Sequence, residues 1–131
     1  MGYAISTTVN HPFDQTLEAV RTALQGQGFG VLTEIDLKAT LKSKIDADIE
    51  PQVILGACRP PLAYQAVQAE PSVGLLLPCN VVVRAAGAGQ TLVEAMDPAI
   101  MVELTGNEGL QDVATDARER LQAALAEVSG S

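Results

Sequence analysis

Tryptophan is absent from the 131-residue chain and aromatic residues make up only 3%. This removes the stacking platforms on which single-strand nucleic-acid binders rely, and it counts, less strongly, against a carbohydrate cleft. Cations are also few: Lys+Arg 8 against Asp+Glu 16 gives a net charge of −8. A phosphate-binding surface needs clustered cations to displace counterions, so no nucleic-acid partner is expected. A single histidine, His11, and two cysteines with no Cys-x-x-Cys provide no zinc-ligand spacing. Ser/His/Asp catalysis is equally unsupported, because that histidine precedes Pro12 and no nucleophile is placed beside it by sequence. No run approaches the ~20 apolar residues that cross a bilayer. The N-terminus alternates polar and apolar residues instead of carrying a basic start and an apolar block. No membrane partner and a cytoplasmic location are therefore expected, where thiols stay reduced unless they have a redox or metal role.

What the chain does have is apolar surface. Hydrophobic residues make up 47% and charged residues 18%, enough to offset chain entropy in one domain spanning residues 1–131. Tyr3, Ile5, Thr7 and Val9 alternate with smaller residues and predict a first strand. Phe13, Leu17, Val20 and Leu24 recur at offsets of four, three and four, predicting a helix from near Asp14 to the Gly26-Gln27-Gly28 stop. Phe29 to Ile35 reads as a second strand. Leu37, Leu41 and Ile45 predict a short helix whose lysines, Lys38, Lys42 and Lys44, are read as a solvated face in preference to an anion site.

The stretch from Gln52 to Ala85 organises the rest. Val53-Ile54-Leu55 predicts a strand covered on both faces or lying inside a sheet. Pro60 and Pro61 suit the first turn of a helix, where no amide donor is required. Gly74 to Ala85 reads as another apolar strand with a bulge or kink at Pro78-Cys79-Asn80. Gln90 to Met96 pairs with it as a hairpin through Gly87-Ala88-Gly89, which opens no helix and so is no dinucleotide loop. A short helical turn over 98–104 and a long amphipathic helix from Glu108 follow. The expected fold is therefore α+β, two layers, with one mixed sheet of about five strands in the order β-α-β-α-β-α-β-β-α.

Chemistry is best sought at the cysteines. Cys58 sits where a strand turns into a helix, and amide donors at a helix N-terminus lower a thiol's pKa, with Arg59 adding positive charge. Cys58 is thus a candidate reactive thiol. The plainer reading makes Cys58 and Cys79 small buried hydrophobes. A disulfide or redox pair requires their Cα atoms within ~7 Å. A soft metal or haem held across an interface stays open. Asn80, inside an apolar run, either satisfies backbone at the Pro78 bulge or faces a pocket and binds a ligand. Glu94, Asp97, Glu103 and Glu108 have no spacing that fixes a carboxylate pair.

At Leu55-Gly56-Ala57-Cys58-Arg59-Pro60 and at Gly74-Leu75-Leu76-Leu77-Pro78-Cys79-Asn80-Val81-Val82-Val83, the chain resembles the DUF302 family of bacterial and archaeal proteins. The likeness extends over nearly the whole chain, including Gly28 to Asp36 and Asp97-Pro98. The resemblance implies a small α+β fold, assembly as a homodimer, and hallmark positions at Cys58, Cys79, Pro60, Pro78 and Asn80. It supplies no agreed substrate and no cofactor. The position after the first cysteine, often asparagine in that family, is Arg59 here.

The leading expectation is a binding or sensing domain with a site at Cys58, Arg59, Cys79 and Asn80, for a small molecule, a soft metal or a redox signal. One alternative is a thiol-dependent enzyme using Cys58. The other is a purely structural or dimerisation role for the same residues.

Overall fold

The computed structural model describes residues 2–130. Met1 and Ser131, inside the expected domain span, lie outside the described residues. Five strands form one sheet: β1 (Ala4–Val9), β2 (Gly30–Asp36), β3 (Gln52–Cys58), β4 (Cys79–Ala85) and β5 (Thr91–Met96). Their order across the sheet is β1-β5-β4-β3-β2. The helices are α1 (Phe13–Gly26), α2 (Leu37–Ile45), α3 (Pro60–Ala69), α4 (Ala99–Thr105) and α5 (Gln111–Ser129). The α+β architecture and element order are those read from the sequence. The sheet differs in one respect: every pairing is antiparallel, so it is not mixed. Each of the connections β2 to β3 and β3 to β4 passes through a helix that returns the chain alongside the preceding strand in reverse.

Each helix forms for a local reason and is held by what it buries. In α1 the stripe Leu17, Val20, Ala23 and Leu24 is buried against the sheet, as the 3.6-residue period requires. Thr16 Oγ1 donates to Pro12 O at 2.9 Å inside the first turn. The C-terminal half of α5 supplies Leu121, Ala124, Leu125 and Val128 to the same layer. Val53, Leu55 and Ala57 of β3, Val81 and Val83 of β4, and Val93 and Ala95 of β5 alternate toward these helices. Burying each such Val or Leu is worth about 1.5–3 kcal/mol. The opposite side of the sheet is only partly covered, so Ile54 is half-buried and β3 is an interior strand covered on one face.

A second core lies beyond the sheet's end. There Leu62 and Ala66 of α3, Val73, Met101 of α4, Leu110, and Val113, Ala114 and Ala117 of α5 pack together. One helix therefore serves both cores, with its two halves in different surroundings. Asp97 joins the layers: its Oδ1 accepts from Ala99 N at 2.9 Å, and its Oδ2 accepts from Arg118 Nε at 3.1 Å.

Two elements differ from the sequence reading. The strand expected from Gly74 begins only at Cys79, because Pro71–Leu76 folds as a 3-10 turn and the Leu77-Pro78 peptide, which is cis, leads into β4. Proline has no N–H to give a ladder, so it sits before the strand rather than bulging it. The irregular register lies instead in β2, between Val31 and Thr33. The other difference is α2, which forms as expected, with Asp36 Oδ1 accepting from Ala39 N at 2.9 Å, but buries none of its residues. Its lysines lie at the surface with local partners: Lys42 Nζ meets Asp46 and Asp48, and Lys38 Nζ donates to Ile49 O at 2.6 Å.

Candidate functional site

Antiparallel pairing brings the two cysteine segments together. In the β3–β4 ladder Ala57 pairs with Cys79, and Cys58 is the next residue on β3. With strands about 4.8 Å apart and a rise of about 3.4 Å per residue, the two cysteine Cα atoms are separated by roughly 6 Å. Both thiols are free. Cys58 and Cys79 border one cavity, which is also lined by Phe29, Arg59, Leu62 and Met101.

That cavity lies at the seam between the two cores. Phe29, Ala57 and Cys79 come from the sheet side, and Leu62, Ala66, Met101, Val113 and Ala117 come from the second core. Its internal volume is about 20 Å³, room for one water molecule or one ion. Its surroundings are apolar apart from the thiols and Arg59.

Arg59 is the exceptional cation. Arg21, Arg84, Arg118 and Arg120 each pair with a carboxylate. Among the described residues Arg59 has no such partner, and its Nε is sealed from solvent without a hydrogen bond. A buried N–H left unmade costs about 1–3 kcal/mol, more on a charged group. The guanidinium reaches this position by lying over Gly28, where an added Cβ would sit 3.0 Å from Arg59 Nε. Gly28 takes φ +84, a conformation that favours glycine. The adjoining loop is tied down from α5, since Arg120 Nη1 donates to Gln27 O at 3.2 Å.

Burial pushes the Cys79 thiol up to about 11, and the charge of the neighbouring Cys58 adds to the rise. Cys79 is therefore a protonated thiol at neutral pH. The helix N-terminus expected to activate Cys58 offers no amide donors there. Pro60 and Pro61 fill the first two helical positions, and the N–H groups of Leu62 and Ala63 both donate to Arg59 O at 3.0 Å. The prolines that start the helix also remove the donors that would have faced the thiol.

Asn80 does not join Cys79, and by the same alternation the Cys58 side chain, next after Ala57 on β3, turns away from the face of Cys79. Asn80 follows Cys79 on β4 and so points to the opposite face of the sheet, where it is exposed and borders a shallow surface with Tyr3, Val82, Glu94 and Met96. No buried amide has to be satisfied there. Beside it on that face, Gly56 leaves room for the Thr33 side chain and the Pro78 ring: an added Cβ would collide with Thr33 Oγ1 and come 2.8 Å from Pro78 Cγ.

Gly28, Phe29, Leu62 and Met101 were not legible as site residues. The glycine had the signature of a helix stop, and the other three had that of ordinary core. Of the residues that line the cavity, Cys58, Arg59 and Cys79 stood out in the sequence.

Among the described residues, no group of three or more His, Cys, Asp or Glu could hold a metal ion, and no helix is long and apolar enough to cross a membrane. No curated protein matches the chain. A solved structure described as "Crystal structure of uncharacterized conserved protein DUF302 from Bacillus stearothermophilus" is similar at 29% sequence identity and TM-score 0.89, covering 97% of this chain and 98% of that one. The family model described as "Domain of unknown function DUF302" matches residues 5–128, and with that extent the chain belongs to the DUF302 family.

Proposed function

We propose that the protein is a small cytoplasmic binding or sensing domain whose ligand is held at Cys58, Arg59 and Cys79, in the seam between the two cores. The observation that carries this reading is Arg59. Among the described residues it is the one arginine without a carboxylate partner in a chain of net charge −8; the residue borders the cavity, and its Nε–H, lying over Gly28, is sealed from solvent with nothing to bond. A negative charge in the cavity that Arg59 borders supplies the missing counter-charge. The small volume restricts that ligand to an ion or to a small group. Asn80 is left out of the site because it lies across the sheet.

The test is a titration of nitrogen-15-labelled protein with small anions and metal ions, following the Arg59 Nε–H resonance. A ligand that shifts this resonance and raises the melting temperature of the wild type, but not of Arg59→Gln, supports the reading. If no ligand moves the resonance, or Arg59→Gln binds as well as the wild type, the site is not there.

The partner assigned to the β2–α2 surface is a second copy of the chain. All seven residues of β2 are exposed, including Leu32 at 64% and Ile35 at 45%, and Ile45 of α2 is 69% exposed. A strand edge with exposed apolar side chains and no proline is suited to pairing.

A further inference from the structure

We propose that the second copy of the chain is held by reciprocal docking of α2: in each copy the Leu37, Leu41 and Ile45 side of this helix packs on the open face of the other copy's sheet, over β4 and β5. This deepens the assignment of a second copy to the β2–α2 surface and rests on it.

Two parts of the molecule lack the cover that their kind requires. The first is α2. Isolated helices shorter than about 12–15 residues are marginal in water, and α2 has nine. Such a helix is held by burying an apolar side. Leu37, Leu41 and Ile45 recur every four residues and share one side of α2, yet none of them is buried, and Ile45 is 69% exposed. The second is the sheet face turned away from α1 and α5. An antiparallel sheet with one solvated face places polar residues on it. Here the outward positions of β3, β4 and β5 include Ile54, Val82, Leu92 and Met96, which belong to neither core. Ala4, Asn80, Val82, Glu94 and Met96 border a shallow hollow of about 210 Å³ in that face. The α2 helix lies against β2 and β3 of its own sheet, whereas the hollow lies over β1, β4 and β5.

Charge identifies the occupant. The α2 helix carries Lys38, Lys42 and Lys44 and no acid, in a chain whose net charge is −8. Lys38 and Lys42 have local partners, but among the described residues Lys44, next to Ile45, has none. The hollow is bordered by Glu94, whose side chain stays 33% exposed beside Arg84. A second copy therefore offers an apolar seat with a carboxylate at its edge, on an acidic molecule, and a cationic helix is drawn to such a surface. The contact is self-complementary: each copy gives one helix and receives one, as a two-fold dimer requires.

The experiment is sedimentation equilibrium at micromolar concentration on the full chain, on Ile45→Glu and on Val82→Lys, with folding checked by circular dichroism. The two variants are run separately and mixed in equal amounts. The wild type is expected at twice the chain mass and each variant alone at the mass of one chain. The mixture is expected to return to twice that mass. A mixed pair keeps one native docking, the unaltered α2 of Val82→Lys on the unaltered face of Ile45→Glu, and brings the new glutamate to the face that carries the new lysine. Should Val82→Lys fail to fold, Ser6→Arg takes its place, an exposed position in the same cross-strand row, Ser6-Glu94-Val82. A dimer formed by either variant alone would overturn the docking and leave the second copy to pair along β2. Two monomeric variants whose mixture stays monomeric would also overturn it. A monomeric wild type would remove the second copy and the docking together.

Discussion

Arg59 lies across Gly28, so close that a methyl group on the glycine would stand 3.0 Å from Arg59 Nε. Two residues thirty-one positions apart in sequence are thus one structural unit, in which a left-handed backbone makes room for a guanidinium. Gly28→Ala is expected to cost about 1–2 kcal/mol from the positive φ alone. In an Arg59→Ala background the steric part disappears. A double-mutant cycle by urea denaturation should show coupling of about 0.5 kcal/mol or more, and additivity would mean that the two side chains are not in contact.

Gly56 makes a comparable allowance on the other face of the sheet. Gly56→Ala would drive a methyl into Thr33 Oγ1 and to 2.8 Å from Pro78 Cγ, and overpacking of this kind costs about 1–3 kcal/mol. The Thr33 side chain can rotate, whereas the proline ring has little room to yield. Adding Thr33→Ala should therefore recover only part of the lost melting temperature. Full recovery would show that Pro78 is not a constraint.

The Cys79 thiol gives stability a defined pH dependence in the reduced, metal-free protein. It titrates near 9.0 in the unfolded chain and at about 11 when folded. Between those values the unfolded state has released a proton that the folded state keeps, so stability falls as pH rises through that window. Below about 9 the contribution is intact. Two pKa units correspond to about 2–3 kcal/mol. Denaturation midpoints for wild type and Cys79→Ala between pH 8 and pH 11 should converge as the pH rises. Parallel profiles would place the thiol in solvent.

Asn107 holds the second core together at its edge. Its Nδ2 donates to Ala69 O and to Glu70 Oε1, both at 2.9 Å, and its Oδ1 accepts from Gly109 N at 2.8 Å. Asn107→Ala leaves those groups to find water and is expected to cost about 1–3 kcal/mol. Hydrogen exchange should accelerate around 69–73 and 107–110 more than in the sheet. Uniform acceleration would indicate that the two cores do not loosen separately.

For the β2–α2 surface the measurement is sedimentation equilibrium at micromolar concentration. The wild type is expected at twice the chain mass, and Leu32→Glu, which charges the exposed strand, at the mass of one chain. A wild type that sediments as one chain would withdraw the second copy as partner.

Much of the fold was legible because its signals are local. The Leu17-Val20-Leu24 stripe marks α1 through helical period, and Gly26 to Gly28 ends it through backbone freedom. The strand at Gly74 was misplaced because Leu75-Leu76-Leu77 is apolar enough for a strand, yet Pro71 and Pro78 confine it to a 3-10 turn. Asn80 was assigned to the cysteine site on adjacency in sequence. Alternation in a strand sends neighbours to opposite faces, so adjacency there means separation.

By itself the sequence determined the α+β class, the element order and the two cysteine segments as the exceptional stretches. Periodicity, proline and glycine act within a few residues. Tertiary structure alone decided the antiparallel register that sets the Cys58 and Cys79 backbones near each other, the exposed β2–α2 surface, and the cavity itself. Its walls come from residues 29, 57–66, 77–79, 101 and 113–117, segments that meet only when α5 spans both cores. No local pattern encodes which two apolar surfaces will close on each other, because that depends on the packing of the whole chain.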